Sequence, residues 1–165
     1  MPLVVSDSST LIHLAGIGRL QLLKDLYGAV VVAGAVWTEV VEQGGDRLGA
    51  SAVNAARDEG WLRIEQPENK QLLHLLKDQL DAGEAETIVL AIDHQADLVL
   101  MDETEGRRVA ALYGLPKTGV VGLLIRARAE NRITSLRQEL DALRHKSGFW
   151  ISDALYQQAL ALVGE

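Results

Sequence analysis

Two short apolar runs, each ending on an acid, constrain the fold of this chain more than any other feature. Leu3-Val4-Val5 stops at Ser6-Asp7-Ser8-Ser9, and Leu98-Val99-Leu100-Met101 stops at Asp102-Glu103. A continuous apolar run of this length, in place of alternation, is the pattern of a strand buried on both faces. Helical spacing follows each run: Leu11, Ile12, Leu14 and Ala15 after the first, residues 107–113 after the second. Residues 29–33 read as a β-branched strand, 34–42 as a helix carrying Val36, Trp37 and Val40, and Trp61-Leu62-Arg63-Ile64 alternates as an edge strand does. Strands that alternate with helices require crossover connections. The pattern therefore predicts an α/β fold of three layers, α/β/α, with a largely parallel central sheet.

The rest of the chain reads as helix. Residues 50–58 form one segment, and Leu72, Leu73, Leu75, Leu76 and Leu80 mark another. Asp81-Ala82-Gly83 interrupts before residues 84–93 resume the pattern, and 120–129 make a further helix. Leu136, Leu140 and Leu143, then Ile151, Leu155, Ala159 and Leu162, predict a helical C-terminal tail. Packing within the domain is the expected fate of that last stripe, with a homodimer contact as the alternative. No repeat or linker breaks the chain, so residues 1–165 are read as a single domain, and an apolar share of 48% suits one core. The N-terminus is apolar only in short pieces and reaches an aspartate at position 7, which predicts neither a signal peptide nor a membrane partner. The absence of cysteine excludes disulfides, thiolate metal sites and cysteine nucleophiles, and permits the cytoplasm.

In an open parallel sheet, ligands bind beyond the carboxyl ends of the strands. Asp7 and Asp102 each stand just past a strand, and they project from one edge if those strands are neighbours. Glu39 lies about a turn past the second strand, and Glu84 opens a helix nearby. Converging carboxylates raise one another's pKa unless a cation intervenes. Oxygen ligands without His or Cys suit a hard ion, Mg²⁺ or Mn²⁺, with positions left for water and phosphate. Each acid also has a structural explanation: Asp7, Asp102 and Glu103 as turn or cap residues, Glu39 as a surface side chain, Glu84 and Glu86 as acids favoured in a first helical turn.

The net charge of −7 is unevenly spread. Residues 104–146 carry nine Lys or Arg against four Asp or Glu, which leaves −12 for the remainder. That segment supplies Arg107, Arg108 and Lys117 as candidate phosphate contacts, with plain solvation of helix faces as the alternative. Lys117 and Thr118, between Pro116 and Gly119, read as a turn entering the next helix. His13, His74, His94 and His145 share no metal-binding spacing and read as surface or packed residues. Neither a GxxxxGK[ST] loop nor a GxGxxG after a strand is present, which removes support for nucleotide-cofactor folds.

The strings VVSDSSTLIHLA, VWTEVVEQG, LDAGEAETIVLA and LVLMDETEGRRVA, in that order, resemble the successive motifs of PIN domains across nearly the whole chain. The resemblance is nearest to a prokaryotic branch related to VapC-like toxins, marked by Gly83-Glu84-Ala85-Glu86 and by Asp102-Glu103 with Gly106-Arg107. It implies a metal-dependent endoribonuclease in which water activated by Mg²⁺ or Mn²⁺ cleaves RNA, with Asp7, Glu39 and Asp102 among the acids. The fourth acid is Glu84 or Glu86, with Glu84 favoured. An antitoxin protein is the implied partner, although Glu in place of the toxins' Asp on this helix and the long tail depart from the toxin pattern. Two other readings stand beside it. One is a nucleic-acid or protein-binding module without turnover. The other is a haloacid-dehalogenase-like phosphatase, which wants a second aspartate where this chain has Ser9.

Overall fold

A computed structural model describes residues 1–165, the side chain of Leu48 excepted. Five parallel strands form its sheet: β1 (Val4–Ser6), β2 (Val30–Ala33), β3 (Leu62–Glu65), β4 (Leu98–Leu100) and β5 (Lys117–Thr118), in the order β3-β2-β1-β4-β5. The three-layer α/β/α expectation holds. β1 and β2 are buried along their whole length, as unbroken valine runs require, and β3 lies at an edge where Arg63 reaches solvent. β1 and β4 are direct neighbours, with Val4, Val5 and Ser6 opposite Leu98, Val99 and Leu100.

From β1 the chain winds outward through α1 (Ser8–Gly16) and α2 (Leu22–Tyr27) to β2, then through α3 (Gly34–Trp37), a π-helical turn (Thr38–Glu42) and α4 (Leu48–Asp58) to β3. It then crosses back by α5 (Lys70–Leu76) and α6 (Ala82–Asp93) to β4, and continues in the opposite direction through α7 (Thr104–Leu112) to β5. Strand order therefore reverses between β1 and β4, and a crevice opens past their carboxyl ends. Right-handed crossovers put the outgoing and returning helices on opposite faces. α6 packs on β1, β2 and β4, and it is apolar nearly all round, with Ala85 and Ile88 to Ala91 buried. No helix among the described residues is long and apolar enough to cross a membrane.

The tail forms α8 (Val120–Ala129), α9 (Leu136–Lys146) and α10 (Asp153–Leu162). α8 and α9 pack on α1, and α10 on α8 and α9. The buried stripe of the last segment differs from the expected one: Ile151, Tyr156, Ala159 and Leu160 are covered, whereas Leu155 and Leu162 face solvent. Ile151 precedes the helix, so spacing counted from it selects the wrong face. Lys117-Thr118 is likewise a strand and not a turn, since Met101 N–H donates to Thr118 O at 3.0 Å and Val99 N–H to Pro116 O at 2.8 Å.

One ion pair fastens the tail to the body. Arg19 donates from Nε and Nη2 to Oε1 of Glu139, at 3.0 and 2.6 Å, and Glu139 is buried. Arg19→Ala strands that carboxylate in α9. The exposed side of Arg19 lets water relieve part of the penalty, so the expected loss is about 1–2 kcal/mol, read as a lower urea midpoint.

Candidate metal and active site

Asp7 leaves β1 at its carboxyl end and becomes the N-cap of α1. Its Oδ1 accepts the Thr10 N–H at 2.9 Å, and its Oδ2 accepts the Asp102 N–H at 3.1 Å. Its own N–H donates to Leu100 O at 2.9 Å, which locks the residue between the two central strands. Asp7 is 2% exposed. Burial pushes its carboxyl up from 3.8 to about 7, with the charge of Asp102 adding to the rise, against the lowering pull of the Thr10 and Asp102 N–H groups. Capping and site membership thus fall on one side chain.

Asp102 ends β4 and knits three elements together. Its Oδ2 accepts from the Thr10 hydroxyl at 2.6 Å and its Oδ1 from the Val120 N–H at 3.0 Å. Gly119 allows this approach, because a Cβ there collides with Asp102 Oδ1. Glu39 sits in the π-helical turn, where the Gln43 N–H reaches back to Thr38 O at 2.8 Å. One extra residue per turn rotates its carboxylate out while Trp37 and Val40 stay buried. The Ser8 hydroxyl donates to Glu39 Oε2 at 2.7 Å, and the bare Cα of Gly83 leaves room for that pair: a Cβ there lies 3.3 Å from the same oxygen.

Glu84 opens α6 in a reciprocal capping box: its N–H donates to Asp81 Oδ1 at 2.8 Å, and its Oε2 accepts the Asp81 N–H at 3.2 Å. Burial, then the charge of Asp81, with Glu103 and Glu39 adding, raises the Glu84 carboxyl above the ordinary glutamate value. Glu86, two residues on, faces an adjoining cavity that Glu39 and Asp81 also line: its Oε1 accepts the Ala35 N–H at 3.1 Å and caps the first turn of α3.

Asp7, Glu39 and Glu84 line one cleft of about 390 Å³ together with Asp81, Glu103, Ser8, Ser9, Ile12 and His13. Five carboxylates face it and no lysine or arginine does. Asp102, Arg107 and Lys117 line a second cavity beyond β4, while Arg108 pairs with Glu105 at 3.3 Å and Gln79 at 2.9 Å on the exposed face of α7. Asp81, Glu103 and His13 belong to the acidic cleft although the sequence reading placed none of them there. Glu103 had a legible signal: consecutive residues leaving a strand point to opposite sides, so Asp102 and Glu103 serve different cavities. His13 is set by packing, its Nδ1 hydrogen-bonded to Ser147 Oγ at 2.5 Å and its ring edge-on to Phe149 at 4.9 Å. Burial lowers its pKa, against the pull of Asp102 and Glu103.

The donors suit a hard divalent cation in kind, being carboxylates and hydroxyls without thiol or cationic competitors. Their spacing is open: among the described residues no three His, Asp or Glu side chains close around a single point. Glu39 is exposed and Glu84 half-buried, so both have the freedom to close on an ion that Asp7 has not.

The all-parallel sheet, covered by helices on both faces and with carboxylates gathered at its switch point, makes this an α/β/α domain of PIN-like architecture. A family model described as a PIN domain matches residues 3–165. The chain belongs to the PIN domain family. PIN domains are in general nucleases that act on nucleic acid and typically use divalent metal. A search of curated proteins finds none that matches the chain.

Proposed function

We propose that this single-domain protein is a Mg²⁺- or Mn²⁺-dependent endoribonuclease of the cytoplasm, with Asp7, Glu39, Glu84 and Asp102 as the acids that hold the ion. The observation behind this reading is the five-carboxylate cleft at the switch point, with Asp102 just outside it, its backbone N–H on Asp7 Oδ2 at 3.1 Å. By itself such a cleft repels a phosphodiester, so it accepts one only together with a cation. When bound, the ion supplies Lewis acidity toward the phosphate and lowers the pKa of water.

The protein's own groups do the rest. Asp7 is fixed by two backbone N–H bonds and gives the site its rigid oxygen. Asp102, held by Thr10 and Val120, keeps β4 and α8 in register with α1. Ser8 orients Glu39, and the Asp81 capping box orients Glu84. Arg107 and Lys117, in the cavity that Asp102 shares, offset the charge of the strand next to the cut. The phosphatase alternative falls with the family match.

Labelled RNAs of varied sequence and fold, incubated with the pure protein, test the reading. Cleavage is expected with Mg²⁺ or Mn²⁺ and none with EDTA. Inertness across all RNAs with either ion, or cutting that survives EDTA, overturns it. A second reading is a module that binds nucleic acid or protein without turnover. Calorimetry with Mn²⁺ separates the two, because binding without turnover does not call for metal affinity that vanishes on Asp102→Asn.

A further inference from the structure

The second cavity, also about 390 Å³, combines features that the metal site leaves unused. Arg107 and Lys117 line it together with Phe149, Trp150 and Leu155 of the tail. The Arg107 guanidinium is steadied by donating from Nη1 to Met101 O at 2.8 Å, which leaves its other donors available. Among the described residues, the ion pairs engage Arg19, Arg63, His94, Arg108, Arg126, Arg128 and Arg144, and neither Arg107 nor Lys117 takes part in one. Trp150 is 82% exposed, an indole face held at the mouth of a cavity with nothing stacked on it. Trp37 and Trp61, by contrast, are buried in the core.

The cavity lies beside the acidic cleft. Asp102 lines one and the adjacent Glu103 the other, and Phe149 packs against His13 across the same wall. A ligand that lies along both must carry negative charge at intervals to meet Arg107 and Lys117, and flat apolar faces between those charges to meet Trp150. A polynucleotide has both. Only a single strand presents its base faces, because a duplex hides them in its own stack.

We infer that this cavity is a nucleotide subsite for single-stranded RNA next to the scissile bond, with a base stacked on Trp150 and backbone phosphates at Arg107 and Lys117. This assignment rests on the ribonuclease reading but is tested without turnover. The core tryptophans being covered, Trp150 also reports on its own occupancy: a base stacked on it quenches its emission.

A short single-stranded RNA of mixed sequence is titrated into the full-length protein with Ca²⁺ in place of Mg²⁺ or Mn²⁺, so that the carboxylates have a cation, following tryptophan emission and the anisotropy of a label on the RNA. Wild type is expected to show quenching that tracks binding. W150A is expected to bind about tenfold more weakly without the quench, and W150F, which keeps a stacking face, to stay near wild type. K117A should flatten the dependence of log Kd on log salt by about one unit. The exposure of Trp150 makes misfolding of W150A an unneeded explanation, and its melting temperature checks that.

W150A binding RNA as tightly as wild type, or RNA binding with no change in emission, overturns the subsite. So does Trp150-dependent binding confined to DNA of the same sequence, to duplex RNA or to a protein partner. Weakened binding by W150A in a protein that cleaves nothing supports the subsite and sinks the nuclease reading. Metal-dependent cleavage with W150A binding unimpaired does the reverse.

Discussion

Asp7→Asn is expected to cut metal-dependent RNA cleavage by about a thousandfold and, in the same protein, to raise the melting temperature measured without metal. The first effect follows from charge. Asn keeps the size of the side chain and one N–H acceptor but has no anionic oxygen to offer an ion. A direct ligand to the ion is worth several kcal/mol in the transition state, and about 4 kcal/mol is a factor of a thousand. Cleavage by Asp7→Asn within tenfold of wild type, measured at saturating Mn²⁺, sinks Asp7 as a ligand.

The second effect follows from the proton. Without metal, burial pushes the Asp7 carboxyl up to about 7 from its ordinary value of 3.8. Between those values the folded protein holds a proton that the unfolded chain has released. The contribution of this group to stability is therefore full below about pH 3.8 and is lost as pH rises through 7. At pH 8 the wild type carries a buried, partly compensated charge that Asn lacks. The gain is offset because one of the two N–H groups at Asp7 meets an amide donor, leaving about 2 kcal/mol net, or several degrees. The advantage of the variant should shrink toward pH 5, where Asp7 is already neutral. Added Mn²⁺ should stabilise wild type and leave Asp7→Asn unmoved. A variant that melts lower than wild type at pH 8 contradicts the burial argument.

Charge and spacing made the centre of the molecule legible and its periphery much less so. The two apolar runs identified β1 and β4 and put Asp7 and Asp102 just past their ends, whereas the pairing of those two strands is a tertiary fact that the runs leave open. Residues 120–129 and the edge position of β3 were equally clear, because periodicity there coincides with burial. α2, in contrast, has six residues and went unread: too few turns for a period to emerge. β5 is a strand only because β4 supplies its hydrogen-bond partners, a tertiary fact that no local pattern encodes. Nothing in Thr38-Glu39-Val40-Val41-Glu42 announces a π-helical turn, yet that turn is what presents Glu39. Trp150 carried no periodic signal either, since it belongs to the unpatterned link before α10.

The ambiguity that local pattern left on α6 becomes a prediction. Glu84→Gln should slow cleavage by about a hundredfold, roughly 2.7 kcal/mol, while Glu86→Gln should stay near wild type. Glutamine at 84 can still fill the capping box, because its side-chain oxygen accepts the Asp81 N–H as the carboxylate does, so the fold is preserved and only the charge in the cleft is lost. Glutamine at 86 likewise keeps an oxygen for the Ala35 N–H, and that site lies outside the acidic cleft. Alanine separates capping from charge. Glu86→Ala leaves the first turn of α3 uncapped and should cost about 1 kcal/mol of stability. It should also slow cleavage a few-fold through Glu39, which rides on the π-helical turn that α3 leads into. The ratio of the two glutamine variants, taken from initial rates at saturating Mn²⁺, decides the matter: if Glu86→Gln is the slower enzyme, the acid that serves the ion is the one now placed at the head of α3, and the cleft is drawn around the wrong face of α6.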